Sequence, residues 1–196
     1  MVEFLSSLRN YLRITRADAI ARRYLVMNGF DGALTTLGVI MGAYAAGVIE
    51  IRLILSAGFG VSLAMGISGA TGAYMAEKAE RVRSMKELED AMFTKLNDTV
   101  IERASNAAVY FVAFIDSLTP VAAALISLSP FIAALFGVFS VVDAFLIALM
   151  LNGITLFVLG VFLGRASRSN VILYGGLMVL AGFATALVMV LLRIVA

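Results

Sequence analysis

The chain contains no cysteine and no histidine. Without cysteine it can form neither a disulfide nor a thiolate metal site. Any ligand it offers must therefore be a carboxylate, a methionine sulfur, an amide or a hydroxyl. Charge is scarce as well. Asp, Glu, Lys and Arg make up 14% of the 196 residues, against about 25% in an average soluble domain. A soluble domain is excluded, because 62% of the residues are hydrophobic and the mean hydropathy is +1.00. The apolar residues lie in runs of twenty or more, the length a helix needs to cross roughly 30 Å of hydrocarbon. The first 23 residues carry five arginines and no continuous apolar core, so no cleavable signal peptide is expected.

These runs predict an all-α, polytopic membrane protein with five spans. Residues 1–22 read as a basic amphipathic interfacial helix, with Phe4, Leu5, Leu8, Tyr11 and Leu12 at helical spacing and Arg9, Arg13 and Arg16 around the turn. Spans one and two fill 23–76, from about Tyr24 to Ile49 and Leu53 to Met75. A charged helix covers 77–105, and spans three to five occupy 106–196. The third span, Ala107 to Leu128, carries Pro120. Pro130 predicts a turn, and the stretch from Phe131 to Leu163 is too long for one upright span, which suggests a re-entrant or surface start. The last span runs from Val171 to Leu192. Thirteen of the fifteen Lys and Arg residues fall on one side of this arrangement, leaving Arg52 and Arg193 opposite. By the positive-inside rule the N-terminus is cytoplasmic and the C-terminus outside.

Three carboxylates interrupt the apolar runs: Asp31, Asp116 and Asp143. A charge at membrane depth costs at least about 2.5 kcal/mol and persists by facing a polar path or a partner. Asp31 has Thr35 at i+4 and Asn28 at i−3, an oxygen-rich cluster suited to a hard or borderline divalent cation. The competing reading is a carboxylate bonded to a neighbouring helix for structure alone. Asp116 precedes Pro120 by four residues, and the missing proline N–H withdraws a donor from its carbonyl. Asp143 falls near the outer end of span four, where solvation would make it ordinary. The ten methionines are read chiefly as packing.

In the 77–105 segment Glu77, Glu80, Glu87, Asp90, Asp98 and Glu102 share an arc of roughly 140°. Met85, Leu88, Met92 and Leu96 form a separate apolar stripe suited to a helix partner. The arc is either a solvated face with i,i+4 pairs or a cation-capture surface. A ridge of small residues, Gly58, Ser62, Gly66 and Ala70, lets two membrane helices approach closely, within the protomer or across a dimer seam.

The strings RRYLVMNGFDGALTTLGVIMGA, GISGATGAYMAEKAE, FIDSLTPVAAALISLSPF and YGGLMVLAGFATALVMVLL make the chain resemble the vacuolar iron transporter family. They resemble its DG-x-x-TTLG opening, its SM-x-x-GEY end of span two, its Pro-bearing third span and its Gly-rich last span. The resemblance implies that Asp31 corresponds to the family's translocation-path Asp. It also implies that Glu77 with Glu80, and Glu87 with Asp90, correspond to its cytoplasmic E-x-x-E metal pairs, and it implies proton antiport through a pore at a dimer seam. Two departures stand out: Gly72-Ala73-Tyr74 replaces GEY, and Gly69 replaces the Met after Ser68. Span two thus lacks a thioether and an acid, and Asp116 could replace the lost charge from span three. The cytoplasmic segment is also shorter than the family's.

The resulting expectation is a transporter of a divalent cation, Fe2+ or Mn2+, exported from the cytoplasm, with no resident cofactor because the metal is cargo. The expected partners are the bilayer, the cation and a second copy of the chain, not nucleic acid. Two alternatives stand beside it: a membrane assembly or scaffold protein without transport, and a membrane-embedded enzyme. The enzyme reading is weakened because Asp31-Gly32 lacks the rest of a phosphatidyl-transferase motif, and neither Asp31 nor Asp116 sits in the Gly-Asp motif of a membrane aspartyl protease.

Overall fold

The computed structural model describes Tyr11, Thr15, residues 17–96 and residues 99–195. Most of the expected interfacial helix over 1–22, and Asp98 of the acidic arc, lie outside the described residues. Among the described residues five helices follow one another: α1 (Ala17–Ala45), α2 (Ile51–Met92), α3 (Val100–Leu135), α4 (Val141–Ala166) and α5 (Val171–Val195). All five are long and apolar enough to span a membrane, and no strand occurs among the described residues. The protein is all-helical, as the apolar runs predict.

The turns have identifiable chemical stops. Gly47 ends α1 with φ at 71°, and Val48 N–H reaches back to the Ala43 carbonyl at 2.9 Å. Gly137 ends α3 in the same way, with φ at 77° and Val138 N–H on the Ala133 carbonyl. Both are Schellman closures, which favour glycine because the left-handed residue carries no Cβ. Asn170 starts α5 by accepting the Ile172 and Leu173 N–H groups on Oδ1. Asp143 lies in the first turn of α4, where Ser140 Oγ donates to its carboxylate and accepts its N–H. Ser140 is the cap, and Asp143 braces it at an exposed end of the helix.

The expected turn at Pro130 is absent: α3 continues through it to Leu135. A proline deprives the carbonyl four residues earlier of its partner, here Ile126. Ser129 Oγ donates to that carbonyl at 2.7 Å, and the helix survives. The stretch from Phe131 to Leu163 is therefore the end of α3, a short turn and most of α4, with no re-entrant segment.

The chain forms two compact units. One comprises Met1–Leu25 with Ile67–Leu118, the other Val26–Gly66 with Thr119–Ala196. In the first, Ala17 of α1 packs with Ala108 and Val112 of α3, flanked by Ile20 and Tyr24. In the second, Ile40, Ile54, Leu55, Leu128, Phe131, Ala144 and Ala148 make one core, with Phe131 edge-on to Phe145 at 5.0 Å. Ala33, Ala123 and Leu156 make another. Tyr44 meets Phe145 edge-on and carries Arg193 over its ring.

Glycine brings the helices of the second unit into backbone contact. A Cβ on Gly32 would stand 2.6 Å from Pro120 Cα, and one on Gly160 would stand 2.5 Å from the Tyr174 carbonyl oxygen. The ridge on α2 is used within the protomer: Gly58, Ser62 and Gly66 are buried, and a Cβ on Gly58 would come within 2.7 Å of the Leu128 methyls. Of the two readings of this ridge, packing within the protomer is the one these positions fit.

Gly32→Ala should therefore destabilise the protein by about 1–3 kcal/mol, the usual range for forced overpacking. Gly60→Ala, at a position with nothing within 4 Å of its Cβ, should be neutral or gain up to about 1 kcal/mol from helix propensity. Thermal unfolding of both variants in the same detergent checks the contrast.

Candidate functional site

Asp31 is the midpoint of α1, fourteen residues from either end. Met27, Asp31 and Thr35 are exposed, Asn28 is half-buried, and Gly38 opens onto free space. The five positions fall within about 100° of helical arc. The opposite face is packed by Gly29, Gly32, Ala33, Thr36, Leu37 and Ile40, all buried. Thr36 is turned inward and its hydroxyl donates to the Gly32 carbonyl at 2.8 Å. The two adjacent threonines thus differ in role: Thr35 joins the Asp31 face, and Thr36 satisfies itself inside. A carboxylate, a hydroxyl, an amide and a thioether along one strip can share a divalent cation with a second set of ligands.

Asp116 belongs to the other unit and is buried, 5% exposed. Its carboxylate and carbonyl lie against Gly69 of α2, where a Cβ would stand 3.0 Å from each oxygen. Ala73, one turn further along α2, is also buried. Gly69, one of the departures from the family pattern in span two, therefore leaves room for an acid from α3. A methionine at 69 would collide with it.

The acids of 77–90 are spread out. Glu77 is nearly buried, with Arg81 Nε 3.8 Å away, and Arg81 also donates to the Thr15 carbonyl at 3.2 Å. Glu87 pairs with Arg83 at 2.9 Å in full exposure, a contact worth little. Glu80 and Asp90 are exposed. Among the described residues no three acids group closely enough to hold a metal. On the apolar stripe Leu88 and Met92 are exposed, while Leu96 is buried.

Two residues carry more than their sequence context announces. Asn152, in the middle of α4, is fully buried and donates to Ala33 and Ser127. Its signal was an amide alone in an apolar run, weaker than a charge. Glu89 closes the turn between α2 and α3: its Oε1 accepts the Leu96 N–H at 2.8 Å and its Oε2 accepts from Lys95 at 3.3 Å. The backbone donor first, and the lysine after it, hold its carboxyl below the usual glutamate range.

A depressed folded pKa stabilises the turn above the ordinary glutamate pKa, and the contribution is lost as pH falls through the lowered value. Hydrogen exchange of the 93–99 turn, corrected for intrinsic rates, should therefore speed up on acidification. Glu89→Gln, which keeps the acceptor and removes the charge, should flatten that response.

The VIT family profile matches residues 22–112, which include α1 from Arg22, α2 and the start of α3. An uncharacterized protein of Methanocaldococcus jannaschii is 30% identical over 190 residues, covering 95% of each chain. No solved structure matches. The matched region holds Asp31, its strip and the acids of α2. This chain is a multi-pass integral membrane protein and a member of the VIT, or vacuolar iron transporter, family, whose members are membrane metal-ion transporters and not enzymes.

Proposed function

We propose that the protein is a homodimeric exporter of a divalent metal, Fe2+ or Mn2+, that moves the ion out of the cytoplasm in exchange for protons. The observation that carries this is Asp31, an exposed carboxylate at the centre of a 29-residue apolar helix. Left to lipid, such a group costs at least about 2.5 kcal/mol. A second copy covering the α1 strip removes that exposure and brings two Asp31 side chains to one divalent ion, which balances its charge. Thr35, Asn28 and Met27 supply further oxygen and sulfur ligands from the same arc.

The distribution of Lys and Arg supports a cytoplasmic N-terminus and an outward C-terminus, in the cell membrane if the host is prokaryotic. Glu77, Glu80, Glu87 and Asp90 then face the cytoplasm and concentrate the cation before it passes to Asp31. Asp116 supplies the membrane acid that α2 lacks. A carboxylate that holds either metal or proton, and never both, couples the two flows, because occupancy by one expels the other.

Asp31→Asn nearly preserves volume and removes the charge. At an effective dielectric of about 20, a divalent ion about 4 Å from one carboxylate loses several kcal/mol of attraction before desolvation is counted. Metal flux into proteoliposomes with matched insertion should fall to background, and Asp116→Asn should be milder. Wild-type flux in Asp31→Asn would remove this residue from the mechanism. Neutralising Glu77, Glu80, Glu87 and Asp90 together should weaken uptake at low metal while leaving the maximum rate largely intact; an unchanged concentration dependence would leave them a solvated face.

A further inference from the structure

Asn152 is 0% exposed and sits where three helices of one unit meet. Its Nδ2 donates to the Ala33 carbonyl on α1 at 2.9 Å and to Ser127 Oγ on α3 at 2.9 Å. Ser127 Oγ in turn donates to the Ala123 carbonyl at 3.1 Å. Both amide hydrogens are thus committed. Asn152 Oδ1 is buried with no hydrogen-bond partner, the one such side-chain atom among the described residues. Flipping the amide would not help, because it would set Oδ1 against the Ala33 carbonyl oxygen, acceptor against acceptor.

None of the partners needs this amide. The Ala33 carbonyl lies within α1, where the helix supplies its own N–H donor, and Ser127 already donates its proton to Ala123. An apolar residue at 152 would leave no neighbour wanting and would delete the orphaned acceptor, which costs free energy where it is. Stability alone argues against asparagine here. What the amide adds is direction: a hydrogen bond holds one carbonyl at one angle, whereas apolar contacts permit sliding. A lone buried asparagine can fix register between helices for this reason, at a cost in stability.

The contacts around it are of the sliding kind. Gly32 runs over the Pro120 backbone, and Gly29 over Thr119 and Leu159. Ala33 lies two residues from both Asp31 and Thr35, on the far side of the helix from them. Pinning Ala33 inward therefore holds the Asp31 strip outward. We propose that Asn152 is a positioning residue that sets the rotation of α1 about its own axis, and with it the outward presentation of Asp31 and Thr35. The rotation stands on the geometry alone; its consequence for transport rests on the reading of Asp31 as a metal ligand.

The cysteine-free chain permits a direct test by paired cysteines. A Cβ on Gly29 would stand 3.1 Å from Thr119 Cγ2, and one on Gly175 would stand 2.7 Å from the Phe157 ring. Gly29→Cys with Thr119→Cys reports the seating of α1 on α3, and Phe157→Cys with Gly175→Cys reports the α4–α5 contact as a control. Each pair is oxidised in membranes with Asn, Val or Asp at position 152. Asp keeps the volume and removes the amide donors, so the test survives if Asn152→Val does not fold. The α1–α3 disulfide should form about threefold more slowly or worse in both variants, the population change that one interhelical hydrogen bond sustains in a membrane. The control should be unchanged, and Asn152→Val should unfold at a temperature no lower than the parent. An equal loss of both disulfides would reduce Asn152 to a general stabiliser, and an unchanged α1–α3 disulfide in both variants would overturn the proposal. Metal flux measured on Asn152→Val without the added cysteines separates the two readings. A lost α1–α3 disulfide with wild-type flux keeps the positioning role and counts against Asp31 as the ligand.

Discussion

The contact on which the second unit depends is the approach of Gly32 to Pro120. A Cβ at position 32 would overlap the proline backbone at 2.6 Å, so α1 and α3 meet with nothing between them. In lipid no hydrophobic force drives helices together, and close packing of small residues takes its place. The same contact keeps the small-residue face of α1 against α3, within which the Asn152 bond to Ala33 fixes the angle. With Gly29, Gly32, Ala33 and Thr36 turned inward, the 3.6-residue repeat leaves Asp31 and Thr35 no choice but the outer face.

Inside that packing, polar groups are satisfied locally. Thr36 bonds the Gly32 carbonyl, Ser127 that of Ala123 and Thr155 that of Leu151. Each hydroxyl closes onto its own helix four residues back, which removes the cost of burying it and contributes nothing to helix choice. Asn152 departs from this pattern, for its donors reach two other helices. A chain that can hide its hydroxyls this cheaply keeps a cross-helix amide with an orphaned oxygen only where orientation matters more than stability.

The five helices were legible because twenty-residue apolar runs have few alternatives in a chain so poor in charge. The Asp31 strip was legible because i, i+4 spacing fixes a face whatever packs on it. The end of α3 was not, since a Ser one residue before Pro130 can close the carbonyl the proline leaves, and proline alone reads as a stop. The ridge from Gly58 was half legible: spacing showed that some helix would approach, and only the position of Leu128 showed that it belongs to the same chain. Asn152 escaped notice because an uncharged amide carries little weight in hydropathy, although burial makes its geometry exacting.

Gly69 and Ala73 look in sequence like losses, two family positions emptied of thioether and acid. Beside Asp116, Gly69 acquires another sense. A carboxylate on α3 needs volume on α2, and a side chain at 69 would fill it; the carbonyl that Pro120 deprives of its in-helix donor lies against the same glycine. The bare backbone at 69 and the carboxylate at 116 are thus one steric arrangement read at two positions. On the transport reading, the membrane acid has moved from α2 to α3. A soft sulfur ligand has gone with it, and the groups left to meet the ion lean toward hard oxygen donors.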